Sequence, residues 1–164
     1  MRPDTPADGI EIARLFEDAP FNQNEMMEQL KRTAAGFGLP IGHQTRIYNT
    51  RLAQELGLWA DAKQKGRVFH TAVFKAYFVN GDNLADKSML LKLVASVGLP
   101  VEEASEVLEE RRYQEKVDAD WRLSWELGIK AVPTFILNNH RLVGAQSYEK
   151  LQNLLEINQV PRHG

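Results

Sequence analysis

The sequence predicts a mostly α-helical chain with a single β-hairpin near its end and one helix after it. Three observations carry that reading. Apolar residues recur at helical spacing in segment after segment from about residue 23 to residue 127. Only one pair of short apolar, β-branched runs follows, Thr134 to Leu137 and Leu142-Val143, joined by turn-forming residues. Ser147 then stands before a run with Tyr148, Leu151, Leu154 and Leu155 on one side. A hairpin is not stable alone, so it must lie against helices or join a larger sheet.

At 164 residues, with 43% hydrophobic and 26% charged content and a net charge of −2, the chain has the composition of an ordinary soluble domain. No charge imbalance argues for nucleic acid, and Lys63 to Arg67 reads as a solvated turn. No apolar run approaches membrane-spanning length, and Met1-Arg2-Pro3 opens no secretory signal. The expected location is cytoplasmic, with no nucleic-acid or membrane partner. There is no cysteine, which excludes disulfides, thiolate nucleophiles and cysteine-ligated metals.

In order, residues 1–8 form an extended lead-in, and Asp8 caps a short helix from Gly9 to Phe16. Asn22 and Glu25 resemble a capping box for a helix carrying Met26, Met27, Leu30 and Ala34, which stops near Gly36-Phe37-Gly38. Residues 39–48 are irregular around Pro40 and Gly42. Asn49 caps a helix with Leu52, Ala53, Leu56 and Trp59 on one side. A helix from Arg67 to Asn80 presents Phe69, Val73, Ala76 and Tyr77. Asp86 caps the run Met89 to Val97, which Gly98 ends. Helices follow through Val101, Ala104 and Leu108 and from Tyr113 to Leu127, with Gly128 as cap. The division expected is a helical region over 1–127 and a hairpin-helix part over 128–164.

Few residues advertise chemistry. None of His43, His70, His140 and His163 has another ligand at metal-binding spacing. Asp118 and Asp120 lie two apart on a helix and face different ways, while Trp121 and Trp125 share a face and read as core. Two places stand out. Pro133 has no amide hydrogen, so it should begin the first hairpin strand, and its X-Pro bond can be cis or trans. Gly144-Ala145-Gln146 joins a strand to a helix N-terminus, where free amides favour an anion.

Gly128-Ile129-Lys130-Ala131-Val132-Pro133-Thr134-Phe135, followed by Val143-Gly144-Ala145-Gln146, resembles the C-terminal half of DsbA-like thioredoxin-fold proteins, and the FrnE-type cytosolic branch in particular. The likeness extends upstream through Tyr48-Asn49-Thr50-Arg51-Leu52-Ala53, through Phe69 to Phe78, and to Asp118-Ala119-Asp120. It implies an α/β thioredoxin-like fold with a large helical insertion, and a parent dithiol-disulfide oxidoreductase activity. It also implies a cis Pro133 and a site for a peptide or small thiol substrate at Ala131, Val132, Pro133, Thr134, Gly144, Ala145 and Gln146.

The family's first strand, its Cys-x-x-Cys helix and most or all of its second strand would precede Met1. The expectation is therefore an N-terminally truncated form, or a member that has lost the redox site, with no catalytic residue and no metal or cofactor. The uncovered first hairpin strand leads to the expectation of a homodimer. Two alternatives follow from the same resemblance. One is a glutathione-dependent isomerase or transferase of the kappa-like branch (2-hydroxychromene-2-carboxylate isomerase type), with serine in place of the first cysteine. The other is a non-catalytic binding or assembly module.

Overall fold

The computed structural model describes residues 4–15, 17 and 22–161. The chain divides into two compact units, Met1–Asp118 and Ala119–Gly164.

The N-terminal unit opens with a short strand β1 (Ile10–Glu11) and a single helical turn α1 (Ile12–Leu15). Here the structure departs from the helix expected from Gly9: the lead-in instead pairs antiparallel with a second short strand, β2 (Arg46–Ile47), Ile10 opposite Ile47. Two-residue strands carry too few positions for an alternating pattern to register. The expected end of that helix, Phe16, lies outside the described residues.

Side chains from later in the chain hold this lead-in. Asn49 Nδ2 donates to the Thr5 carbonyl at 2.9 Å and Asn83 Nδ2 to that of Ala7 at 2.9 Å. Arg46 donates to the carbonyls of Asp8 and Gly9 at 2.9 and 3.0 Å. Gly9, at φ +77°, leaves room for the Tyr48 ring, which a Cβ there would meet at 2.6 Å.

Helix α2 (Gln23–Gly36) starts as expected: the Asn22 side chain accepts from the amides of Asn24 and Glu25. Its apolar stripe is less covered than expected, since Ala34 is buried while Met26 and Leu30 are exposed.

The core comes from four helices, α3 (Arg51–Ala62), α4 (Gly66–Lys75), α5 (Lys87–Ser96) and α6 (Val101–Glu109). Helix α3 packs on α4 and α6, and α5 packs on the same two. Leu56, Trp59, Phe69, Leu90, Val94, Val107 and Leu108 meet at their centre, all but inaccessible to water. The i, i+4, i+7 stripes read from the sequence are the faces that converge, because burying them removes apolar surface from water.

Past Lys75 the helix does not run on as an α-helix to Asn80, but widens into a π-helical turn over Ala76–Asn80. The loop before α3 caps this widened turn. Gly42 N–H donates to the Phe78 carbonyl at 2.9 Å, and the Gln44 amide donates to the Tyr77 carbonyl. A Cβ on Gly42 would lie 2.0 Å from the Val79 carbonyl oxygen, so only glycine allows the approach. Burial pushes the Tyr77 hydroxyl up, against a hydrogen bond from the Tyr48 backbone that pulls it down.

Glu55 is a charged residue in this core, with no exposed surface. Arg111 grips it with Nε to Oε2 at 2.9 Å and Nη2 to Oε1 at 2.6 Å, and Arg51 Nε reaches Oε1 at 3.2 Å. Arg51 also donates to Asp118 at 2.6 Å and to the Gln114 carbonyl at 3.1 Å. A buried carboxylate persists when paired and hydrogen-bonded in this way. The Glu109-Glu110-Arg111-Arg112 charge run therefore contains one structural clamp. Arg111 sits at φ +53° to make it.

The C-terminal unit holds most of helix α7 (Gln114–Glu126), a hairpin of β3 (Thr134–Leu137) and β4 (His140–Val143), and helix α8 (Tyr148–Ile157). Trp121 is buried, but Trp125, expected beside it in the core, is 64% exposed. The DsbA-like architecture expected from the sequence agrees with this mostly helical chain ending in a hairpin and a helix.

Candidate functional site

Two residues past the end of α7, Gly128 takes φ +63° and turns the chain. The last turn of the helix is closed by Gly128 N–H to Trp125 and Ile129 N–H to Ser124, both at 2.9 Å. Arg141 from β4 caps the same helix end, donating to the carbonyls of Leu127 and Gly128. The chain then crosses Lys130, Ala131 and Val132 in the open. The Val132-Pro133 peptide bond is cis, and Val132 is 84% exposed.

The hairpin brings the two halves of the predicted site together. Gly144 N–H donates to the Pro133 carbonyl at 2.8 Å, extending the ladder by one rung past Thr134 opposite Val143. The Thr134 hydroxyl donates to the Ala131 carbonyl at 2.6 Å, fixing the bend before the strand. Gly144 takes φ +86°, which re-aims the chain towards α8. The Gln146 side chain folds back and donates to the Val143 carbonyl at 2.7 Å. Ser147 is the N-cap, its hydroxyl accepting from Lys150 N–H at 3.4 Å.

All seven predicted residues thus belong to one corner of the C-terminal unit, but several of their polar groups are already engaged. The Gly144 amide and the Gln146 amide nitrogen bond within the corner. The backbone of Val132, beside a proline that has no N–H of its own, makes no hydrogen bond within this corner.

Other candidates prove structural. His70 faces Asp61 at 3.6 Å with both exposed, and its ring lies over Gly57, where a Cβ would come within 2.7 Å. His140 Nδ1 lies 3.2 Å from the Asn158 side chain, which also accepts from Asn138 at 2.9 Å. His163 lies outside the described residues. Asp118 binds Arg51 and forms no acid–base pair with Asp120. No cluster of three metal-ligating side chains occurs among the described residues, and no helix among them is long and apolar enough to cross a membrane.

Two cavities of about 290 and 330 Å³ are lined by residues of the N-terminal unit. The first includes His43, Gln44 and Arg46, the second Asp8, Arg14 and Arg46. Sequence reading gave Gln44 and Arg46 no role, and a lone amide or guanidinium in an irregular loop offers no signal that could have found them.

Residues 3–156 match the family described as the DSBA-like thioredoxin domain. The chain belongs to that family. Among curated proteins, the uncharacterized protein YwbO of Bacillus subtilis is 32% identical over 111 residues, 67% of this chain and 56% of that protein. The matched stretch therefore spans little more than half the length of that relative. Among solved structures, a Streptomyces coelicolor protein described as a probable DsbA oxidoreductase superposes with a TM-score of 0.82 at 24% identity, covering 99% of this chain and 74% of its own. The cytosolic disulfide reductase DsbM of Pseudomonas aeruginosa, solved with GSH, gives a TM-score of 0.57 at 22% identity, covering 85% and 77%. At these identities the two structures establish the shared fold.

The structure gives the upstream motif residues architectural roles. Tyr48-Asn49-Thr50-Arg51, which suggested the family, is architectural: Tyr48 packs on Gly9, Asn49 holds Thr5 and the first turn of α3, and Arg51 binds Glu55 and Asp118.

Proposed function

We propose that this chain is the substrate-holding part of a DsbA-type dithiol-disulfide oxidoreductase, receiving an extended peptide or small thiol along the backbone at Val132 and the start of β3. The observation that carries the reading is the exposure of Val132 next to a proline without N–H, in a family whose members are oxidoreductases. An extended ligand can add there by main-chain hydrogen bonds. Exchange itself needs a thiolate attacking sulfur. With no cysteine, this chain supplies none, and it holds rather than reacts.

The test is binding without chemistry. A fluorescently labelled extended peptide should bind saturably, and Val132→Pro, which removes one more backbone donor, should weaken binding about tenfold while leaving the helical circular dichroism unchanged. Equal affinity in the variant would overturn the assignment. Insulin reduction by this chain with dithiothreitol should run at the uncatalysed rate.

A second reading is glutathione recognition of the kappa-like kind, supported by the Ser147-capped N-terminus of α8 beside Gly144 and Ala145. Glutathione should then protect the chain against thermal unfolding, whereas γ-glutamyl-free cysteinylglycine should not.

A further inference from the structure

Asparagine is a chemically labile side chain, and its fate depends on the residue that follows it. The backbone nitrogen of the next residue can attack the asparagine Cγ and close a five-membered succinimide. A following glycine hinders that approach least, because it has no Cβ and turns freely. Asn80 is the one asparagine of this sequence that precedes a glycine. Asn83, Asn138 and Asn139, in contrast, stand before leucine, asparagine and histidine.

The structure holds Asn80-Gly81 away from this reaction. Asn80 is exposed and is the last residue of the π-helical turn Ala76–Asn80. Gly81, at φ +76°, donates to the Ala76 carbonyl the very N–H that would have to attack. Asp82 N–H reaches the same carbonyl at 2.9 Å. The nitrogen that would leave, Asn80 Nδ2, donates to Asp82 Oδ2 at 3.1 Å. The turn is itself held from the preceding loop, by Gly42 N–H on the Phe78 carbonyl at 2.9 Å and by the Gln44 side chain on that of Tyr77. Nucleophile and leaving group thus both have partners in the closed turn, and an opened turn frees them together.

We propose that Asn80 is a deamidation site gated by the opening of this turn. Once the turn opens, the Gly81 nitrogen loses its proton to solvent base and bonds to Asn80 Cγ. The Cγ–Nδ2 bond breaks, and Nδ2 takes up a proton and leaves as ammonia. Water then opens the succinimide at one carbonyl or the other, giving aspartate or isoaspartate with no change of oxidation state. Local opening is far faster than this chemistry, so the rate follows the population of the opened turn. The product does not restore the turn. A carboxylate at position 80 faces Asp82 where a donor now sits, at a helix C-terminus that disfavours negative charge. Isoaspartate also lengthens the main chain just before the Gly81 amide. Conversion therefore loosens the loop that carries Leu84 into the core and Asn83 to the Ala7 carbonyl.

The test follows Asn80 by tandem mass spectrometry in the tryptic peptide from Ala76 to Lys87, with Asn83 of the same peptide as internal control. Aspartate and isoaspartate forms are separated chromatographically. In mildly alkaline buffer the urea-unfolded chain should convert Asn80 before its other asparagines, and the folded chain should do so about tenfold or more slowly. Gln44→Ala removes one bond to the turn and should speed conversion of the folded chain by about fivefold, the effect of one hydrogen bond. Gly42→Ala, which displaces the Val79 carbonyl, should speed it by about tenfold or more. Circular dichroism checks that each variant is folded, and Gln44→Ala alone decides where Gly42→Ala is not. Equal rates in the folded and unfolded chain would overturn the gate, as would a folded Gln44→Ala that converts no faster than the unaltered chain. Another asparagine converting ahead of Asn80, or no conversion of Asn80 in any folded form, would overturn the site.

Discussion

Removing Arg111 tests whether the Glu55 clamp holds the helical core. Deleting one partner of a fully buried ion pair costs about 3–5 kcal/mol, because it strands a charge away from water. Two features reduce the figure here. The Arg111 side chain is 39% exposed, so water can follow the deleted group, and Arg51 still reaches Glu55 at 3.2 Å. Losing two charge-assisted hydrogen bonds under those conditions should cost Arg111→Ala about 2–3 kcal/mol. Arg111→Gly loses the same bonds but relieves the φ of +53°. It should therefore be about 1 kcal/mol more stable than the alanine variant, the approximate penalty of a left-handed non-glycine residue. Urea unfolding followed by far-ultraviolet circular dichroism measures both. With a slope of about 2 kcal/mol per molar, the midpoint of Arg111→Ala should fall by roughly 1–1.5 M. A fall below about 0.3 M, or a glycine variant no better than alanine, would refute the argument that Glu55 depends on this clamp.

Gly42→Ala should destabilise the chain by about 1–3 kcal/mol, since its methyl must displace the Val79 carbonyl and break the loop's bond to Phe78; thermal unfolding reads it. Asp86→Ala should lose the cap on α5 at a cost of about 1 kcal/mol, whereas Asp86→Asn, which keeps the accepting oxygen, should lose much less. Acid should weaken the chain. Hydrogen bonds from Lys63 and then Trp59 hold Glu103 below its ordinary 4.5, and Arg112 does the same for Glu110. Carboxylates lowered on folding stabilise the native state fully above the unfolded value and lose that effect as pH falls through the folded one. The unfolding midpoint should be flat from pH 7 to about 5.5 and fall below 4.5, less steeply in Glu103→Gln, as a pH series of melts will show.

What could be read from the sequence was local or periodic. The stripes of α3 to α6 announced the core because hydrophobic burial follows helical spacing. The strand-turn-strand pattern announced the hairpin, and a proline followed by a Gly-Ala-Gln corner marked the candidate site. Long-range partnerships were invisible. Strands β1 and β2 form only because Asn49, Asn83 and Arg46 hold the lead-in from positions 37 to 76 residues away. Trp125 shares the periodicity of Trp121 but stays in solvent, since spacing defines a face without saying what covers it.

The sequence by itself determined the helical content, the family and the absence of any thiol, all of them properties of residue identity and order. Only the tertiary structure decided that Glu55 is a buried, clamped charge, and that Gln146 spends its side-chain amide on the strand beside it. Only it could show that Val132 lies exposed before Pro133. Those are matters of which backbone and side-chain groups already have partners, and partnership across tens of residues is settled by packing.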